Sequence, residues 1–325
     1  MKTILVSGAS GIVGYGILRS LRLSGKPLRL IGTTIYSDTV AQGFCDILEL
    51  APLTSDNGYI EWLLSMIRKY DVDLIIPGIE VDVHKWAESI SDLEGSRARV
   101  LLNNINLISL CKDKWTFYEI LRRVGLPWVI DTSLLQDYEL LAEKFGVPFL
   151  LKPRVGYGSK GIVKVDSKDV FLKYKSDVGN VLMVQPIIGN ADEEYTTSAF
   201  CEENGKVCAS MTLRRKLSKD GFTEKAEVAH PDGVDEILFT LSNYFKPIGP
   251  TNFQFRRHNG FLKLLEINPR ISSATSIRTA FGYNECLMSV EYYLENIKPQ
   301  QPFIKQGRAV RYIEDFVFYE TGTDF

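Results

Sequence analysis

The chain has 325 residues, 45% of them hydrophobic and 24% charged, with 38 basic side chains against 40 acidic ones and a net charge of -2. That length holds a sizeable core divided among sub-domains, and the near-neutral charge excludes the broad basic field of a nucleic-acid binder. Five cysteines without a CxxC pair and three scattered histidines exclude a disulfide framework and a His/Cys zinc centre, and no apolar run reaches membrane-spanning length, so a cytoplasmic protein with no membrane contact is expected.

Residues 3–7 read as a short buried strand. The turn Gly8-Ala9-Ser10-Gly11-Ile12-Val13-Gly14 follows, and its glycines break the apolar stretch after Lys2, so a strand and helix are expected there rather than a leader. Strands are predicted at 28–32, 46–50 and 74–76. Helices are predicted up to about Ser24, over 59–70, where Ile60, Leu63, Leu64 and Ile67 share a face, and over 80–93. Strands alternating with helices imply a parallel α/β sheet, assigned to residues 1–111.

The pattern then changes. A helix over 113–124 stops at Gly125-Leu126-Pro127, and another is predicted over 134–145. From 149 to 267 short strands dominate, at 149–152, 161–165, 181–185, 195–203, 206–213, 223–229, 251–257 and 261–267, with helices near 168–176 and 233–245. Glu203-Asn204-Gly205-Lys206 and His258-Asn259-Gly260 are hairpin turns, so this part is α+β and antiparallel. Residues 301–325 form a small C-terminal segment.

Three motifs carry chemistry. In Glu266-Ile267-Asn268-Pro269-Arg270, strand alternation puts Glu266 and Asn268 on one face, where two oxygen donors can grip a hard cation such as Mg²⁺. Gln254, on the facing hairpin strand, can add an amide oxygen, and Arg270 can hold a phosphoryl oxygen or a carboxylate. In the second motif, Lys152 lies inside the apolar strand Phe149-Leu150-Leu151-Lys152-Pro153, where a buried ammonium needs an anionic partner. The loop after it, from Gly156 through Gly158, Ser159 and Lys160 to Gly161, can cover phosphates with backbone N–H groups. The third is the strand ending Gln185-Pro186-Ile187, with Asp192, Glu193 and Glu194 beyond it, which can face an adenine edge and a ribose. Arg214-Arg215-Lys216 is a basic cluster whose middle member points away from its neighbours and which reads chiefly as a solvated face.

Taken in order, these motifs resemble the ATP-grasp superfamily, nearest to the carbamoyl phosphate synthetase large-subunit type, over roughly residues 1–300, and most specifically from Asn252 to Arg270. The resemblance implies a Rossmann-like parallel α/β domain (1–111), then a two-lobed ATP-grasp fold (112–300, with lobes of about 112–187 and 188–300). It implies ATP with Mg²⁺ or Mn²⁺ as cofactors. Lys114 and Lys152 then approach the phosphates, and Gly158, Ser159, Lys160 and Gly161 form a flap over them. Gln185 and Ile187 match the adenine hinge, and Glu194 the ribose acid, with Asp192 and Glu193 as alternatives. Gln254, Glu266 and Asn268 match the metal ligands, while Arg270 and Lys152 match the groups that steady the transferred phosphoryl. The chain departs from that type in Gln185, where a glutamate is usual, in Tyr157 of the loop, and in having one grasp unit and no glutaminase-like segment.

The activity this implies is a carboxylate–amine ligase that forms an acyl phosphate and takes small-molecule substrates. Two rivals remain. One is an NAD-dependent oxidoreductase using the Gly8–Gly14 turn, which lacks the acid expected at the end of strand two. The other is a nucleotide-binding regulator without turnover. A homo-oligomer is neither implied nor excluded.

Overall fold

The structure, a computed structural model, describes residues 1–156, 160–219, 221–317 and 319. The chain begins with β1 (Lys2–Val6), α1 (Ile12–Leu23), β2 (Leu28–Thr34), β3 (Ile47–Leu50), α2 (Tyr59–Tyr70), β4 (Leu74–Ile76), α3 (Glu80–Glu88), α4 (Ile90–Glu94) and β5 (Arg99–Val100). The five strands form one parallel sheet in the order β3-β2-β1-β4-β5. Both faces are covered. Ile4 and Val6 of β1 pack with α1 residues on one side, and Leu5 packs with Leu63, Ile67 and Trp86 on the other. That two-sided burial is why β1 reads as a continuous apolar run rather than an alternating one.

The chain continues with α5 (Ile105–Lys112), α6 (Lys114–Val124), α7 (Tyr138–Phe145), β6 (Phe149–Pro153), β7 (Val163–Val165), α8 (Lys168–Tyr174) and β8 (Leu182–Pro186). β6 pairs antiparallel with both β7 and β8, and α7 and α8 cover this three-stranded sheet through Leu141 and Phe171. Next come β9 (Glu194–Cys201), β10 (Val207–Leu217), β11 (Thr223–Ala229), α9 (Val234–Phe245), β12 (Gly249–His258), β13 (Phe261–Asn268), α10 (Thr275–Ala280), α11 (Glu285–Glu295) and β14 (Arg308–Val310). Here the sheet is antiparallel, in the order β13-β12-β9-β10-β11-β14. Phe253 and Phe255 of β12 share a core with α6 and α9, while Phe200 of β9 meets Ile277 and Met288 on the other face.

The structure corrects several sequence expectations. The helix predicted over 80–93 is two helices, because Ser89 leaves helical geometry at φ -112°, ψ 24°. The helix predicted from 134 begins at Tyr138, where Asp137 caps it by accepting from the Leu140 N–H; Ser133, just ahead of that stretch, bridges to Val184 instead. The segments 105–112, 275–280 and 285–295 are helices that the periodicity did not reveal. Within the predicted C-terminal segment, residues 308–310 form β14, which pairs with β11 at the sheet edge.

The Gly8–Gly14 turn works by close approach. A Cβ on Gly14 would lie 2.2 Å from the Gly8 carbonyl oxygen, and one on Gly78 would lie 2.1 Å from the Ser7 carbonyl oxygen. The ends of β1 and β4 are therefore held together by residues without side chains. Gly78→Ala is expected to destabilise the protein by roughly 1–3 kcal/mol through backbone displacement, read as a lower urea midpoint. An unchanged midpoint would mean the strand ends separate freely.

Candidate functional site

β12 and β13 set the site. Their register places Gln254 opposite Glu266 and Asn252 opposite Asn268, and the ladder shifts immediately after Gln254. Alternation then brings Gln254, Glu266 and Asn268 to one cavity of about 420 Å³, as the sequence predicted. Asn268 Nδ2 donates to Glu266 Oε1 at 2.9 Å, and Arg270 Nη2 reaches Asn268 Oδ1 at 3.4 Å. Arg270 also pairs through Nε with Glu80 at the start of α3.

Lys152 enters the cavity from β6 and donates to Gln185 Oε1 at 3.2 Å, and Gln185 Nε2 in turn donates to Thr132 at 2.8 Å. Burial pushes the Lys152 pKa below the ordinary lysine range, and the nearby Glu266 carboxylate opposes that shift. For Glu266, burial alone would raise the pKa. The Asn268 amide and the charges of Lys114, Lys152 and Arg215 hold it below the usual carboxylate value. Lys114, the first residue of α6, donates to the Gly156 carbonyl oxygen at 2.5 Å.

Glu194 lies at the centre of a cross-strand row. It pairs in register with Arg215 of β10 and Arg256 of β12. Arg215 donates to Glu194 Oε1 through Nε at 3.0 Å and Nη2 at 2.8 Å, and Arg256 donates to Oε2 at 2.5 Å. Arg215 Nη2 also reaches Gln254 Oε1 at 2.6 Å. Of the three candidate acids only Glu194 lines the cavity; Asp192 pairs with Lys216 and Glu193 approaches Arg257 at the surface.

Lys160 lines the cavity, and Gly161 takes a φ of 74° beside Pro153. Gly158 and Ser159 fall outside the described residues. Ile187 does not line the cavity: it is 40% exposed and Ile188 takes the inward position, because β8 ends at Pro186 and strand alternation stops there. Sequence reasoning missed Arg256, Glu80 and Thr132. Arg256 was reachable, being two residues from Gln254 on one strand; Glu80 and Thr132 come from distant elements and carry no local signal.

Among the described residues, six basic side chains and two acidic ones line this cavity. No group of three His, Cys, Asp or Glu side chains suited to a metal occurs among them. The donors that converge are instead one carboxylate and two amide oxygens, the hard, lightly charged set that Mg²⁺ tolerates when phosphate oxygens complete its shell. A second cavity of about 870 Å³ lies at the carboxyl ends of β1, β2 and β4 and shares Glu266 and Asn268 with the first.

The sequence and the fold are similar to those of known proteins. A family model described as an ATP-grasp in the biosynthetic pathway with Ter operon matches residues 180–316. The chain is 24% identical over 197 residues to the carbamoyl phosphate synthase large chain of Archaeoglobus fulgidus, covering 56% of this chain and 18% of that one. It is 22% identical over 293 residues to the same enzyme chain of Methanothrix thermoacetophila, covering 83% and 26%. The chain thus spans about a quarter or less of the length of these relatives. Among solved structures, N5-carboxyaminoimidazole synthetase of Staphylococcus aureus superposes with a TM-score of 0.72 at 16% identity, covering 93% of this chain and 80% of that one. Biotin carboxylase of Campylobacter jejuni, in a complex with a β,γ-ATP, gives 0.72 at 16% over 94% and 74%. The chain has an ATP-grasp fold, mixed α/β with one parallel and two antiparallel sheets. Within that class it is similar, over residues 180–316, to an ATP-grasp family model and, at 22–24% identity, to carbamoyl phosphate synthase large chains.

Two outcomes follow from the buried charges. Glu194→Gln leaves Arg215 and Arg256 without a counter-charge and is expected to cost roughly 3–5 kcal/mol in urea unfolding, whereas Asp192→Asn, which breaks an exposed pair, is expected to be nearly silent. Equal effects would refute the buried row. Lys152→Met removes a depressed lysine. The unfolded chain binds that proton up to about pH 10.4 while the folded chain releases it earlier, so wild-type stability rises with pH in between. Lys152→Met, which buries no ammonium, is therefore expected to be more stable than wild type at the lower pH, and its lead, measured by denaturation, should shrink as pH increases.

Proposed function

We propose that the chain is an ADP-forming carboxylate–amine ligase. ATP enters the smaller cavity, its γ-phosphoryl passes to a carboxylate oxygen to give an acyl phosphate, and an amine then displaces phosphate. One observation carries this reading. A carboxylate and two amide oxygens, from Glu266, Asn268 and Gln254, converge in a cavity that six basic side chains also line. Oxygen donors beside a surplus of cations suit a metal-bound polyphosphate and little else.

In this reading Gln254, Glu266 and Asn268 hold Mg²⁺, with Mn²⁺ an acceptable substitute. The bound metal would neutralise phosphate charge. Lys114 and Lys152 bind phosphate oxygens, and Arg270 steadies the phosphoryl group as it moves; preorganised cations supply most of what phosphoryl transfer needs. Gln185 faces the adenine from β8. Glu194 serves the ribose only by sharing its carboxylate with Arg215 or Arg256. Lys160 and Gly161 belong to a covering flap, and Ile188 replaces Ile187 against the base.

The same reading assigns residues 1–111 to a Rossmann-like unit, 112–300 to the grasp domain and 301–325 to a terminal segment. Small-molecule substrates are its partners, with no nucleic acid, and no described helix is long and apolar enough to cross a membrane. Nothing favours NAD at the Gly8–Gly14 turn, whose glycines serve backbone contact.

The test is ADP release from Mg-ATP across a panel of carboxylates and amines. Glu266→Gln is expected to lower turnover about 100-fold or more while the protein stays folded. Turnover at the wild-type rate in that variant would sink the proposal.

A further inference from the structure

The larger cavity shares Lys114, Gln185, Glu266 and Asn268 with the smaller one, but most of its lining residues belong to it alone. It lies at the carboxyl ends of three parallel strands, and its far wall is β13 from Leu264 to Asn268. Open parallel sheets bind ligands at that edge, and about 870 Å³ is ample for a small molecule. Its mouth is apolar: Ile35, Tyr36 and Leu53 stay 48%, 57% and 52% exposed beside Pro52.

The charged groups that line it are almost all engaged. Glu80 holds Arg270 and approaches His84. Asp82 accepts from the Thr54 hydroxyl at 2.6 Å, Glu88 pairs with Lys112, Lys114 reaches the Gly156 carbonyl, and Glu266 accepts from Asn268. Lys85 differs. It is half-buried on α3, lines the cavity, and among the described residues its ammonium has neither an ion pair nor a hydrogen bond. A cation partly withdrawn from water beside apolar walls favours an arriving anion.

We propose that this cavity is the acceptor site and that it selects a carboxylate with an apolar body and a second, distal anionic group, which Lys85 binds. The reacting end lies by Arg270 and Glu266, and only that end rests on the ligase reading. Lys85 follows Glu80, the partner of Arg270, by five residues, which is about 7–8 Å along the helix axis. An α,ω-dicarboxylate with several carbons between its ends spans such a distance.

The probes are adipate and suberate, their monoanionic counterparts hexanoate and octanoate, and 6-aminohexanoate with a distal cation. Calorimetry on the full chain measures binding to wild type, Lys85→Met and Lys85→Arg. Hydroxamate formation from Mg-ATP and hydroxylamine measures activation: the carboxylate oxygen takes the γ-phosphoryl as ADP leaves, and the hydroxylamine nitrogen takes the acyl carbon as phosphate leaves. The dianions are expected to bind wild type about ten-fold more tightly than the monoanions, with 6-aminohexanoate weakest. Lys85→Met should bring that ratio near one, and Lys85→Arg should keep it. Equal binding of dianions and monoanions, a preference that survives Lys85→Met, or no binding of any probe overturns the proposal. If Lys85→Met unfolds, wild type and Lys85→Arg still decide the matter. A Lys85-dependent preference without hydroxamate from any acid would support the distal-anion site and remove the ligase reading. Hydroxamate formed with no dianion preference would do the reverse.

Discussion

The pairing of β12 with β13 is the constraint on which the site depends. Side chains alternate along a strand, so a slip of one residue would turn Glu266 and Asn268 away from the cavity and put Ile267 into it. Three features hold the register. Asn259 and Gly260 both take positive φ, 51° and 83°, which suits a tight hairpin turn. Phe253, Phe255 and Ile267 are buried on the opposite face and would be exposed by a slip. The shift after Gln254 then leaves Leu265 out of the pairing, so that it lines both cavities.

Under that hairpin lies a polar network that fixes it to the rest of the chain. Arg278 of α10 is fully buried and donates to Asn252 Oδ1 and Thr196 Oγ1, each at 3.0 Å, and to Ser272 at 2.7 Å. Glu285 of α11 offers the compensating charge at 3.5 Å and accepts from Ser198. Removing one member would strand a buried charge, so the network specifies position more than it adds stability. α10 and α11 also contact α1 of the parallel sheet, where Asn284 Nδ2 donates to the Ser20 carbonyl oxygen at 2.8 Å. Strand β12 is thereby tied to the parallel sheet through two helices.

Sequence reading found the parts of this design that repeat with a period. The strands from β6 to β13 emerged within a few residues because apolar alternation and glycine turns mark them locally. The Gln254, Glu266 and Asn268 face followed from alternation alone. The helices 275–280 and 285–295 left a weak periodic signal because their buried faces mix Thr275, Arg278, Glu285 and Ser289 with the apolar Ile277, Cys286, Met288 and Val290. Arg215 shows the same limit. Strand alternation turns it away from its neighbours Arg214 and Lys216, which form surface ion pairs, but its place between Glu194 and Gln254 has no mark in the sequence. Contacts between distant elements, such as Glu80 with Arg270, leave no trace along the chain.

The two cavities differ in a way that bears on how they would work together. The smaller holds a surplus of cations and receives Lys152 from one sheet and Arg215 and Arg256 from another. The larger is apolar at its mouth, and most of its charged groups are already paired or hydrogen-bonded within the protein. Highly charged phosphates gain in the first and would be poorly matched to the second, while an apolar body gains only in the second. They meet at Glu266 and Asn268, and Arg270 stands at that junction, held by Glu80 from the larger cavity's side. A reaction that joins a phosphate to an otherwise apolar molecule needs this geometry: separate environments for the two bodies, and one shared wall where a single pair of oxygens can come into contact.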